Sequence, residues 1–403
     1  MPTILVGFTW KQIEKMNILY LYTGVINPMK GGVQRVTDVI STRLRQRGHT
    51  VYFLGLVSGD SPYQFAFPNK QDACGDENLS YLKRFIYEHQ INIAIFQEGI
   101  SPLHSAWAYA VKDTSAKLVA CIHNSMLGGV VNMEQAARDR LNKFHLGMLA
   151  PLVRIPMIAR LAKYSYCKLM HGHYIKLCNE SDRVVLLSDK FIAELNEFVD
   201  AKRYQNICAI PNPVSFELSK PLVWDEKKKK ILYVGRIDSK LKRVDLLLKI
   251  WEKVWKQLPD WSLDIIGDGL ELPKFKEYAL VHQLENIHFY GFDNPKSYYE
   301  SASIFTMTSS SEGFGIVLVE AMQYGVIPIA FNSYLSVTDI IDDGVNGLLV
   351  DAMDVDKYVE ALVSLAHDKA RRKRMGLAAI EKAKLFSIDS VVDKWEDLLF
   401  TIK

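Results

Sequence analysis

The segment Ser311-Glu312-Gly313-Phe314-Gly315-Ile316-Val317-Leu318-Val319-Glu320 concentrates residue types suited to holding a polar ligand. Glycines let backbone N–H groups approach a ligand closely, and the helix predicted from the apolar run would point its N-terminus at an anion. Glu312 and Glu320 are eight residues apart. At about 100° per residue on one helix they would sit about 80° off a common face, two turns apart. A carboxylate at the mouth and another deeper in would grip two parts of one elongated ligand. Carboxylates accept from sugar hydroxyls, whereas backbone amides suit phosphates. A glycine-containing loop followed by two helix-surface glutamates is the plainer reading of the same residues.

A second group is cationic. Val234-Gly235-Arg236-Ile237 ends a predicted strand, and Lys242-Arg243-Val244-Asp245 begins the next helix. Arg offers a forked contact and Lys a point charge, a pairing that suits a pyrophosphate and would stabilise charge on a departing nucleoside diphosphate. Earlier in the chain, Gly31 and Gly32 lie between the first strand and the first helix, and His123 follows the strand Val119-Ala120-Cys121-Ile122. Singly, these are also what ordinary loops and core histidines look like. Asp354-Val355-Asp356 has the spacing of a metal-binding D-x-D, but it stands at a helix start, where Asp is a good N-cap. Asp342-Asp343-Gly344 reads as a turn.

Short apolar runs alternating with helical patterns must position these residues. Strands are predicted at 17–23, 50–57, 92–97, 117–123, 183–188 and 206–210, with helices between them such as 32–47 and 78–90. After Ile210-Pro211-Asn212-Pro213 and a polar stretch ending in Lys227–Lys230, the pattern restarts with Ile231-Leu232-Tyr233-Val234-Gly235. Strands follow at 262–266, 287–290, 303–307, 326–330 and 348–350, and helices at 243–257, 271–283, 315–323, 355–366 and 369–384. Alternating strands and helices predict parallel sheets covered on both faces, which bind ligands at the carboxyl ends of their strands. The expected fold is α/β, with two doubly wound domains facing a central cleft: 1–214 and 215–384, with helix 385–403 packing back on the first. Residues 1–15 read as an extension that the fold does not need.

The 403 residues suffice for two cores, and a net charge of +3 lacks the strongly basic face expected of a nucleic-acid binder. The five cysteines, Cys74, Cys121, Cys167, Cys178 and Cys208, show no C-x-x-C spacing and read as reduced thiols. No apolar run reaches the roughly 18 residues of a membrane span, and the N-terminus lacks the basic flank of a signal peptide. The expected location is cytoplasmic.

Taken together and in order, these elements resemble the retaining GT-B glycosyltransferases of family GT4. The resemblance covers nearly the whole chain from about residue 17. Its strongest part is Glu312 to Glu320, continuing through Gly325-Val326-Ile327-Pro328. It is supported by Val234-Gly235-Arg236 with Lys242, Ile266-Gly267-Asp268-Gly269, Phe289-Tyr290-Gly291, Ile210-Pro211-Asn212, Gly31-Gly32, Arg47-Gly48-His49-Thr50-Val51 and His123. The resemblance implies that Gly235, Arg236 and Lys242 bind the donor diphosphate, that Glu320 holds the ribose hydroxyls, and that Glu312 with the amides of Gly313, Phe314 and Gly315 binds the transferred sugar. Gly31 and Gly32 would line the cleft near the phosphate, His123 would sit by the reacting sugar, and Ser188 matches a serine ending the last strand of the first domain. His123, Arg236, Lys242 and Glu312 are the expected catalytic set. The loop from Arg236 to Lys242 is one residue longer than usual, which makes Lys240 a rival for the lysine role. Pro213 replaces a glycine often found after Pro-Asn.

The implied reaction moves a hexose or N-acetylhexosamine from a nucleotide-sugar, with UDP as the expected nucleotide, to a glycan or lipid-linked saccharide acceptor in cell-surface polysaccharide or lipopolysaccharide synthesis. No cofactor and no metal are expected. Between 138 and 176, Arg138, Arg140, Lys143, Arg154, Arg160, Lys163, Lys168 and Lys176 are interleaved with apolar and aromatic residues. Such a segment suits an anionic membrane surface, and core-packed helices with solvated cations are the alternative. Two other functions fit the same fold: a nucleotide-sugar epimerase or phosphorylase, and a non-catalytic nucleotide-sugar-binding protein.

Overall fold

The computed structural model describes residues 14–29, 31–59, 61–101, 103–131, 148, 155–218 and 227–403. Most of residues 1–15, together with Lys30, Arg138, Arg140, Lys143 and Arg154, therefore lie outside the described residues.

The first domain alternates β1 (Asn17–Leu21), α1 (Gly32–Gln46), β2 (Thr50–Gly55), β3 (Gln64–Ala66), α2 (Asp76–Glu88), β4 (Ile93–Phe96), α3 (Leu103–Lys112), β5 (Lys117–Cys121), α4 (Gly128–Val131), α5 (Pro156–Glu180), β6 (Arg183–Leu186), α6 (Phe191–Leu195) and β7 (Ile207–Ala209). The second runs β8 (Lys230–Val234), α7 (Val244–Val254), β9 (Ser262–Ile266), α8 (Leu272–Val281), β10 (Ile287–Gly291), α9 (Lys296–Ser301), β11 (Ile304–Met307), α10 (Ile316–Gln323), β12 (Ile327–Asn332), α11 (Val337–Ile340), β13 (Leu348–Asp351), α12 (Val355–His367) and α13 (Lys369–Ala383), followed by α14 (Ile388–Ile402).

Among the described residues the sheets are ordered β3-β2-β1-β4-β5-β6-β7 and β10-β9-β8-β11-β12-β13, and their pairings are parallel. Central strands read as unbroken apolar runs because both faces are covered: all four residues of β4 and of β11 are buried. In each sheet the strand order reverses once, between β1 and β4 and between β8 and β11. The loops leaving those strands open into the crevice where doubly wound sheets take ligands. The arrangement is that of a GT-B fold.

The short edge strand β3 has no counterpart among the predicted strands. Its three residues are only half-buried and carry no apolar run; they are held by pairing with Phe53–Gly55.

The domains are joined at Val214, whose N–H donates to the Phe386 carbonyl at 2.9 Å, and α14 lies against α1. Val391, Val392 and Leu399 are fully buried there, each contributing about 1.5–3 kcal/mol. An ionic seam closes the edge. Arg43 pairs with Glu217 and Asp389, and Arg47 reaches Asp393 at 2.6 Å and Glu396 at 2.7 Å. His49 Nδ1 accepts from the Met16 N–H, so its Nε2 carries the proton and donates to Glu396 Oε1 at 3.1 Å.

Helix α5 separates what the sequence joins. Tyr174 is fully buried, whereas Met157, Leu161, Tyr164 and Leu169 are exposed, as are Arg160 and Lys168. Among the described residues no helix is long and apolar enough to cross a membrane. All five cysteines are unpaired. Asp354 caps α12, accepting from the Lys357 amide at 3.0 Å, and so does the work of a helix cap rather than of a D-x-D pair.

Candidate functional site

The loops from β8 and β11 meet at one reversal point. Lys242 Nζ donates to Glu312 Oε1 at 2.5 Å, and Ser309 Oγ donates to the same oxygen at 2.6 Å. Lys242 is thus the lysine seen on Glu312, and Lys240 is exposed. Arg236 uses Nε on Asp238 at 2.7 Å and leaves its side chain 61% exposed. Burial would raise the Asp238 carboxyl, but the Lys242 amide, the Arg236 guanidinium and the Leu241 amide outweigh it and hold it below the usual range.

Glu312 is not on the helix, contrary to the angular reading of the sequence. Helix α10 starts only at Ile316, because Gly315 takes a left-handed φ of 88° that breaks the helical path. A Cβ at Gly315 would lie 2.6 Å from the Tyr334 hydroxyl. Glu312 therefore projects from the loop that leads into α10. Ser336 Oγ donates to the Gly313 carbonyl at 3.1 Å and holds this loop from α11.

Glu320 lies deeper and is completely buried. Its Oε2 accepts from the Tyr299 hydroxyl at 3.1 Å, while Oε1 has no hydrogen-bond partner among the described residues. Arg35, from α1 of the other domain, comes within 3.9 Å of that oxygen. Burial raises the Glu320 pKa against the opposing pull of Ser215, Arg35 and Tyr299. Burying this charge is costly, and Ser215, Arg35 and Tyr299 offset part of that cost.

The first domain brings His123 to the same cleft, and Gly31 and Gly32 open α1, the helix whose Arg35 approaches Glu320. A Cβ on Gly313 would lie 1.9 Å from the His123 carbonyl oxygen, so the two domains touch there and only glycine fits. The His123 ring is held by Gln97 Oε1, at the tip of β4. That contact leaves His123 Nδ1 buried and without a partner among the described residues. Burial pushes the imidazole down to about 4, so it is neutral at pH 7. Around Gly31 and Gly32 an added Cβ would meet nothing within 4 Å, so packing does not demand glycine at either position. Ser188 follows β6 rather than β7, the last strand of the domain, because Ile207–Ala209 adds a further strand; it is buried and accepts from the Lys190 amide at 3.1 Å. Lys190 in turn crosses to Asp339 of the second domain at 2.6 Å.

Sequence reasoning missed Gln97, Arg35, Asp238, Ser309 and Tyr299. Only Asp238 left a signal, an Asp at a loop start able to accept from the amides that follow. A hollow of about 380 Å³ between α7 and α8, lined by Leu248, Phe275 and Tyr278, shares none of these residues.

The cations, carboxylates and glycine loop lie within one stretch of matched sequence. Residues 214–382 match the glycosyl transferases group 1 family. An uncharacterized glycosyltransferase of Haemophilus influenzae is 26% identical over 92% of this chain and 96% of its own length. Among solved structures, the apo lipopolysaccharide outer core galactosyltransferase WaaB superposes with a TM-score of 0.67 at 18% identity, over 96% of this chain and 99% of that one. Anabaena Alr3699/HepE in complex with UDP-glucose gives 0.71 at 14% identity, over 96% and 100%. At these identities the structural likeness speaks to the fold, and the glycosyl transferases group 1 match to the second domain.

Proposed function

We propose that this protein is a retaining glycosyltransferase that moves a hexose or N-acetylhexosamine from a UDP-sugar to a glycan or lipid-linked saccharide during cell-surface polysaccharide synthesis. The observation that carries the reading is the Lys242–Glu312 contact at the cleft mouth, with the unmade Glu320 oxygen buried behind it. Arg236 and Lys242 are a diphosphate grip, Glu320 takes the ribose hydroxyls, and Glu312 with the Gly313–Gly315 amides takes the sugar. The UDP-glucose complex of HepE and the galactosyltransferase WaaB have the same fold and support the donor class and the acceptor class respectively.

In this mechanism the departing diphosphate gathers negative charge, and Arg236 and Lys242 stabilise it as it forms. A donor phosphate oxygen takes the acceptor proton on the face from which the diphosphate leaves, so no protein nucleophile is used and the anomeric configuration is kept. Neutral His123 orients the sugar rather than exchanging its proton. No metal takes part. The exposed Met157, Leu161, Tyr164 and Leu169 of α5, beside Arg160 and Lys168, form the described part of a surface that rests on an anionic bilayer.

The test is acceptor-dependent UDP release, with the product anomer read by NMR. Activity should survive EDTA and be lost in Glu312→Ala and Arg236→Ala. Donor hydrolysis or epimerisation without an acceptor, or an inverted product, would refute it. Flotation with anionic liposomes should weaken in Arg160→Ala/Lys168→Ala; parent protein that does not float removes the membrane part.

A further inference from the structure

Arg236 and the backbone of Lys242 both hang on one carboxylate. Asp238 Oδ1 accepts from three successive backbone amides, those of Lys240 at 3.1 Å, Leu241 at 2.7 Å and Lys242 at 3.0 Å. Oδ2 accepts from Arg236 Nε at 2.7 Å. The Asp238 carbonyl also accepts from the Val244 amide at 3.1 Å, closing the loop onto the start of α7. One side chain thus fixes the backbone that carries Lys242 and the guanidinium of Arg236 together.

The Arg236 side chain is mostly exposed, so burial does little to hold it and the bond to Asp238 sets its direction. Binding through Nε turns the terminal nitrogens of the guanidinium outward, where two parallel N–H donors match a phosphate edge. The loop has a second, independent support on its far side. Glu271 accepts from the Ser239 amide at 2.5 Å and from its hydroxyl at 2.8 Å. Asp238 is therefore not needed merely to keep the loop folded.

We infer that Asp238 is a positioning residue for the diphosphate of the donor, acting by aiming Arg236 and setting the Lys242 backbone. This rests on the donor-site reading above. A negative charge beside a diphosphate would by itself weaken binding. Four N–H groups surround this carboxylate and absorb that charge, so geometry outweighs repulsion.

The experiment measures the Kd of UDP, GDP and ADP by calorimetry for the parent, Asp238→Asn, Asp238→Glu, Arg236→Ala and the Asp238→Asn/Arg236→Ala double variant. Asn keeps an oxygen for the three amides but cannot accept from Arg236. Glu keeps the charge and displaces it by a methylene. Both should fold and bind the parent's preferred nucleotide about tenfold more weakly, as expected for losing one charge-assisted hydrogen bond. The double variant should bind no worse than Arg236→Ala, because Asn at 238 removes only what Arg236 already supplied. Parental or tighter binding by Asp238→Asn, or full additivity in the double variant, overturns the inference while leaving the donor site standing. A parent that binds none of the three nucleotides overturns both.

Discussion

Replacing Glu320 by Gln should make the empty protein more stable and the donor weaker. Glu320 is completely buried, and the Ser215 hydroxyl and backbone beside it offset only part of what burial costs the charge. A buried carboxylate whose charge is only partly offset costs more than a neutral amide in the same place, by about 1–3 kcal/mol. In Glu320→Gln the amide oxygen keeps the Tyr299 bond and the N–H2 group donates to the Ser215 hydroxyl, which beside the carboxylate acts as donor, so the pairing is exchanged and what disappears is the buried charge. The lost attraction to Arg35 is small, because the pair is 3.9 Å apart and Arg35 is part-exposed. The net gain is about 1 kcal/mol, which raises Tm by about 2–4 °C for a domain of this size. Burial raises the pKa of this carboxyl in the fold, so the folded state binds the proton more tightly than the unfolded chain. Stability is therefore lost as pH rises through that window, and the advantage of Gln is largest at neutral pH and shrinks in acid. The nucleotide moves the other way. An amide whose oxygen is engaged by Tyr299 offers no charged acceptor to a ribose, at a cost of about 1.5–3 kcal/mol, or about 10- to 100-fold in Kd. Thermal unfolding with and without UDP, from pH 5 to pH 8, measures both. A lower Tm in the empty variant, or an undiminished response to UDP, would refute the account of Glu320 as a strained carboxylate kept for its ligand.

Gly313→Ala should fold but hold the domains apart, since its Cβ would fall 1.9 Å from the His123 carbonyl oxygen; about a hundredfold loss of kcat/KM and a wider scattering profile are expected. Gln97→Glu sets a carboxylate against the His123 ring and should raise its pKa from about 4, which NMR titration of the imidazole would register. In the parent the folded ring refuses the proton that the unfolded chain takes, so His123 weakens the fold as pH falls from about 6.5 toward 4. Glu396→Ala leaves His49 Nε2 and part of Arg47 unpaired at the α1–α14 seam, and should cost about 2 kcal/mol by denaturant unfolding, with Asp389 and Asp393 still holding Arg47.

Most of the architecture was legible because its signals are local. Runs such as Ile93–Phe96 and Ile304–Met307 are apolar throughout, as strands covered on both faces must be. Glycine-bearing loops follow β1, β8 and β11, and their place beside the order reversals follows from the parallel topology. Where the signal is not local, the reading failed. Three half-buried residues of β3 are a strand only because β2 pairs with them. Tyr174 and Tyr164 look alike in a basic aromatic segment, yet one is core and the other surface.

The chain by itself determined which chemistry is present: two cations after one strand, two carboxylates and a glycine loop after another, and a histidine after a third. Only the tertiary structure decided how these groups are used. It chose Lys242 for Glu312, 70 residues away. It fastened Arg236 to Asp238. It left one Glu320 oxygen unpaired and His123 neutral. Residue type and spacing specify what a side chain can donate, accept or carry. Burial and the distance between remote segments specify whether it does, and those exist only once both sheets have closed on the cleft.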